Sequence, residues 1–133
     1  MPDTSTRSTL IAACRTIIFM VWMTFLTLIW ILPALIISPL MDLPARHRFI
    51  GRPFCIACVW SARLILGLRW KVIYEGELPS RPSIIVAKHQ SSWETFMLPA
   101  LLPPQVQVIK KELTRVPIFG WYLAMMGPIT IDR

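Results

Sequence analysis

The chain has 133 residues, 55% of them hydrophobic, and a mean hydropathy of +0.58; this bounds it to one domain at most and argues against an ordinary soluble one. Net charge is +7, from 14 basic residues against only 7 acidic ones, and 12 of the basic residues follow residue 45. They form no run and stand beside long apolar stretches, which favours anionic lipid over nucleic acid as their partner.

Residues 1–15 read as a polar tail. From Thr16 to Ser38 there are 23 residues without a charge, about 35 Å as a helix against a hydrocarbon core of about 30 Å. Residues 16–38 are therefore expected to be a transmembrane or membrane-embedded helix, too long for the apolar core of a signal peptide. Pro33 keeps a re-entrant path open beside a spanning one. Trp22 and Trp30 lie inside the stretch, not at its ends where an aromatic belt belongs. Arg46, Arg48 and Arg52 follow it closely and outnumber Arg7 and Arg15, so the positive-inside tendency places the C-terminal side in the cytoplasm.

Residues 39–71 read as a connection and a second helix. Pro39, Pro44, Gly51 and Pro53 punctuate 39–53. Residues 54–70 are apolar but carry Arg63 and Arg69, which suits a helix on the membrane surface better than a second crossing; burial against protein is the competing reading. Cys55 and Cys58 form a C-x-x-C with no second pair to complete a zinc site, so both read as small apolar residues. With Cys14 they give no even disulfide framework, and no metal site is expected.

Residues 72–133 carry a different pattern. Trp70–Gly76 alternates and Ser83–Ala87 is a short apolar run, and both predict strands. A helix is expected over 91–102, closed by Pro103 and Pro104, then a strand over 105–110. A second short helix follows over 116–126, with Pro117 near its start and Gly127 just past its end, and a last strand over 128–132. Strands alternating with helices predict an α/β layer structure.

The chemistry-bearing segment is Lys88-His89-Gln90-Ser91-Ser92-Trp93-Glu94. His89 directly follows an expected strand, and the C-terminal ends of strands are where α/β sheets build sites. Glu94 falls in the first turn of the next helix. A carboxylate there can accept a hydrogen bond from one imidazole nitrogen, leaving the other as a general base. A base acting on a substrate hydroxyl needs no serine or cysteine nucleophile. Two plainer readings compete: Ser91-x-x-Glu94 fits a capping box, and an isolated histidine is often structural.

The surrounding blocks carry a resemblance. His89-x-x-x-x-Glu94 resembles the H-x-x-x-x-D motif of the 1-acylglycerol-3-phosphate acyltransferase family. Lys110-Lys111-Glu112-Leu113 with Pro117-x-x-Gly120 resembles its second block, and Gly127-x-x-x-Ile131-Asp132-Arg133 the end of that block. The resemblance implies a fold of N-terminal membrane helices followed by the first part of a mixed-sheet glycerolipid acyltransferase domain. It implies acyl transfer from acyl-CoA or acyl carrier protein, as co-substrate with no cofactor, to the free hydroxyl of lysophosphatidic acid, giving phosphatidic acid. His89 would be the general base and Glu94 would orient it. Arg133 would hold the phosphate, with Lys110 as a second contact or simply a solvated strand end. The bacterial inner membrane, with the catalytic part facing the cytoplasm, is the expected location.

Two departures qualify the resemblance. Glu94 stands where Asp is commoner, which alters reach but keeps the carboxylate–imidazole contact possible. The later E-G-T-R block is absent, so the chain is expected to be a truncated, inactive piece. Two alternatives stay open: an acyltransferase with a different lysolipid acceptor, and a non-catalytic membrane-anchored basic protein binding anionic lipid or a partner.

Overall fold

A computed structural model of the chain describes residues 4–77, 81–88, 90–102 and 104–132. Helix α1 runs Thr4–Ile37 with Pro33 inside it. It therefore begins well before Thr16, in the segment read as a polar tail. Farther along it, Thr16 and Thr24 turn their hydroxyls back to the carbonyls of Ala12 and Met20, each four residues earlier.

A short turn over Ser38–Leu40 leads to Asp42, whose carboxylate accepts from the Ala45 backbone N–H at 2.9 Å and caps the next helix. Continuous helical structure then runs from Leu43 to Leu66: α2 over Leu43–Arg46, a wide π-type turn over His47–Gly51, α3 over Arg52–Ser61, and a second wide turn over Ala62–Leu66. This corrects the expected connection over 39–53. Pro44 lies in the first turn of α2, where a missing N–H costs nothing, and Pro53 lies inside the continuous stretch, directly after the wide turn over His47–Gly51, so neither ends the helix.

The Leu43–Leu66 stretch packs antiparallel to α1. The Trp22 indole donates to the Ser61 hydroxyl at 2.7 Å and the Trp30 indole to the Ile50 carbonyl at 3.2 Å. Both halves of this hairpin are long and apolar enough to cross a bilayer. One face of α1 stays bare, with Ile17, Val21, Phe25 and Ile36 all exposed.

The remaining elements are α4 (Trp93–Leu101), β1 (Val108–Lys110), a 3-10 turn (Lys111–Arg115), α5 (Phe119–Met125) and β2 (Ile129–Ile131). β1 and β2 pair in parallel, with Val108 opposite Ile129 and Lys110 opposite Ile131. The strand–helix alternation is thus realised from 108 to 131, but the described residues are mostly helical and the expected mixed sheet is a parallel pair. The expected strands over 70–76 and 83–87 do not form. Ile84 and Val86 are 94% and 92% exposed, because an alternating run becomes a strand only where a partner completes its hydrogen-bond ladder, and none of the described residues does so.

The core joins the hairpin to this second half. Phe54, 1% exposed, packs against Tyr122 at 5.2 Å between ring centroids and against Phe96 at 6.4 Å, with Ile31, Ile50 and Met126 around them. Cys55 and Cys58 are buried in this core as free thiols, and no metal-binding cluster occurs among the described residues.

Candidate active site

The start of α4 folds on its own side chains. Glu94 Oε2 accepts from the Ser91 backbone N–H and from the Ser91 hydroxyl, both at 3.0 Å, and Ser91 Oγ accepts from the Trp93 N–H at 3.2 Å. The capping box anticipated from Ser91-x-x-Glu94 is therefore formed. The Glu94 backbone N–H, with further help from Ser91 and the Gln90 N–H, holds the carboxyl below its ordinary range despite some desolvation. Glu94 is thus an anion near neutral pH. Both bonds from Ser91 fall on the same carboxylate oxygen.

Of the other residues singled out in the sequence, His89 and Arg133 lie outside the described residues. Lys110 ends β1, exposed to solvent. Its neighbour Lys111 is paired with Asp132 at 3.6 Å, both side chains largely exposed.

The elements around α4 fix its placement. α4 lies antiparallel on α3: Arg52 Nε donates to the Ala100 carbonyl at 3.3 Å near its end, Phe96 meets Phe54 at its middle, and Trp93 meets Trp70 at 5.2 Å at its start. From the other side, Gln107 Nε2 donates to the Thr95 carbonyl at 3.3 Å, which ties the lead into β1 to the first turn of α4. Between α3, α4 and α5 is a small, mainly apolar cavity of about 50 Å³ lined by Phe54, Phe96, Tyr122, Leu123 and Met126, with Thr95 at its edge. Burial pushes the Tyr122 phenol well above its usual range, so it stays protonated.

The Pro117-x-x-Gly120 block is a tight reversal. Ile118 has φ 64° and ψ −64°, and the Phe119 N–H donates to the Pro117 carbonyl at 2.7 Å. This is a γ-turn of the strained, positive-φ kind. Gly120 then passes so close to the 111–115 turn that a β-carbon would run into the backbone of Leu113 and Thr114. Gly127, at φ 63°, ends α5 as its position predicted.

Sequence reasoning missed the tethers. Arg46 Nη1 donates to the Met125 carbonyl at 3.1 Å, at the end of α5, and to Met41 through Nε at 3.0 Å. Arg46 and Arg52, counted as an orientation signal, thus cap the C-terminal ends of α5 and α4, where cations are favoured. Also missed was a cluster of Trp60, Arg63, Trp70 and Trp93. Trp60 and Trp70 meet edge-on at 6.1 Å, and the Arg63 guanidinium lies 5.2 Å from the first ring and 5.4 Å from the second. The i, i+3 spacing of Trp60 and Arg63 was the available signal.

Residues 69–133 match the family model described as Acyltransferase. Over 123 residues, 92% of the chain, it is 38% identical to a 1-acyl-sn-glycerol-3-phosphate acyltransferase of Pseudomonas aeruginosa and covers 48% of that protein. Over 72 residues, 53% of the chain, it is 43% identical to a Saccharomyces cerevisiae protein of the same name and covers 24% of it. It is also 35% identical over 74 residues, 56% of the chain, to a lyso-ornithine lipid O-acyltransferase of Pseudomonas aeruginosa, covering 28% of it. The chain thus spans less than half the length of these relatives. No solved structure matches it.

Proposed function

Because residues 69–133 match the family model described as Acyltransferase, we propose that the chain supplies the catalytic pair of a membrane-bound O-acyltransferase that makes phosphatidic acid from 1-acylglycerol-3-phosphate. The activity is that of the protein that carries this chain. The observation that carries the reading is the fixed, ionised Glu94 at the start of α4, five residues after His89 and inside the family match.

In this reading Glu94 accepts from one imidazole nitrogen of His89, and the other takes the proton of the acceptor's free hydroxyl. The hydroxyl oxygen attacks the thioester carbonyl of acyl-CoA or acyl carrier protein. An ester C–O bond forms, the C–S bond breaks, and the leaving thiolate takes the proton back from the imidazolium. The phosphate of the acceptor is held by Arg133, whose guanidinium can bind it through two parallel hydrogen bonds, with Lys110 as the second contact. The parallel register supports that pairing, since Lys110 lies opposite Ile131, two residues before Arg133. The apolar hairpin holds the reaction at the bilayer, where both acceptor and product reside, and the inner membrane with the catalytic part in the cytoplasm is the proposed setting.

The 35% identity to a lyso-ornithine lipid O-acyltransferase makes the acceptor the part most in need of a direct test. The protein carrying the chain, in membranes, is assayed with both acceptors and with both acyl-CoA and acyl carrier protein donors. The expected result is a kcat/KM for lysophosphatidic acid at least about tenfold that for the lyso-ornithine lipid. The reverse order overturns the acceptor assignment. No transfer to either acceptor from either donor, with binding to anionic vesicles retained, favours a non-catalytic lipid-binding role.

A further inference from the structure

The capping box shapes the first turn of α4 but does not decide where that turn sits. α4 has nine residues, too few to be stable without tertiary contacts. Its far end is held by Arg52 and its middle by Phe54. At its start, where Glu94 lies, Gln107 holds the Thr95 carbonyl from the β1 side, and the contact to the hairpin side is Trp93 on Trp70. Trp70 in turn belongs to an extended segment without strand partners among the described residues, and its neighbours Arg69, Lys71, Val72 and Ile73 are all exposed. What fastens Trp70 is Trp60 and Arg63, two residues on one face of the rigid helical stretch.

We propose that Trp60, Arg63 and Trp70 are positioning residues for acyl transfer, which through Trp93 set the place of Glu94 against the membrane hairpin. The inference rests on the reading of Glu94 as the partner of His89. Trp60 and Trp70 meet edge-on and the Arg63 guanidinium rests against both rings, a stiff three-way contact, because a planar guanidinium packs on aromatic rings as a lysine ammonium does not. The cluster lies outside the core: Trp60 is 49% exposed, and the core built on Phe54, Ile31 and Tyr122 does not include it. Loosening it therefore leaves the fold intact while moving the first turn of α4, and misplacement of a catalytic group by about 1 Å can cost about a hundredfold in rate.

The test compares Trp70→Leu, which keeps apolar bulk without the ring, with Trp70→Phe, which keeps a ring, in the protein carrying the chain. Expected for Trp70→Leu is a fall in kcat of about tenfold or more, with acceptor KM within about twofold and the thermal midpoint within a few degrees. Trp70→Phe recovers a substantial part of the turnover. The proposal fails if Trp70→Leu keeps kcat within about twofold of the parent, if the loss is in KM alone, or if Trp70→Phe is as impaired as Trp70→Leu. Glu94→Gln is run beside them. Inactive Glu94→Gln with normal Trp70→Leu removes the positioning role alone, whereas full turnover in Glu94→Gln removes the catalytic reading and this inference together.

Discussion

At Glu94 the two bonds from Ser91 fall on Oε2, and the charge they stabilise sets how this turn responds to acid. The folded carboxyl is held below its ordinary value. Its contribution to stability is therefore complete above the unfolded value of about 4.3 and is lost as pH falls through the lower folded one. Protection of the Trp93 and Glu94 amides, taken as exchange relative to the intrinsic rate at each pH, is expected to hold at neutral pH and to fall as acid protonates the carboxylate; Glu94→Gln should flatten that dependence, and an unchanged profile would contradict the cap. At Gly120 the limit is steric. Gly120→Ala meets the Thr114 backbone at 2.7 Å and is expected to cost about 2 kcal/mol or more, read as a lowered thermal midpoint. The P-x-x-G spacing was visible in the sequence. The reason for its glycine was not, because it depends on the path of residues 111–115, which no local pattern specifies.

The hairpin's first half was legible from hydropathy, while its second half, read as a connection and a surface helix, and the seam between the two were not. Trp22 and Trp30 looked misplaced for an aromatic belt because their indole N–H groups serve Ser61 and the Ile50 carbonyl in the opposite helical stretch, a pairing of residues 39 and 20 positions apart. Trp22→Phe and Trp30→Phe should each destabilise by about 1 kcal/mol, since each leaves a polar partner without its donor; denaturation in detergent measures it, and a change in only one variant would locate the seam elsewhere. The two strands that did not form make the complementary point. Trp70–Gly76 and Ser83–Ala87 have the composition of strands, but a strand is a property of a pair. β1 and β2 formed because α5 brings Ile129 beside Val108. Helix bounds failed at the prolines of 39–53, which were read as breaks, yet Pro44 begins a helical stretch and Pro53 is carried within it after a wide turn.

At the scale of the described residues, the arrangement couples the apolar hairpin to the second half of the chain through one core, with Phe54 of the hairpin in contact with both α4 and α5. A hairpin with a bare apolar face should partition with the membrane fraction, resist high salt and be released by detergent; release by salt alone would mean that the +7 net charge, not the apolar face, holds it there. The proposed catalytic pair rests chiefly on the motif blocks around it, since His89 and Glu94 taken singly each admit a structural role. The most direct measurement is therefore turnover of His89→Ala in the protein carrying this chain, with lysophosphatidic acid as acceptor and membrane content matched to the parent. A general base of this kind is worth about a hundred- to ten-thousandfold in rate, and a loss of kcat in that range with the protein still membrane-bound is the expected result. Turnover within about threefold of the parent would contradict the assignment of His89 and Glu94 as the catalytic pair.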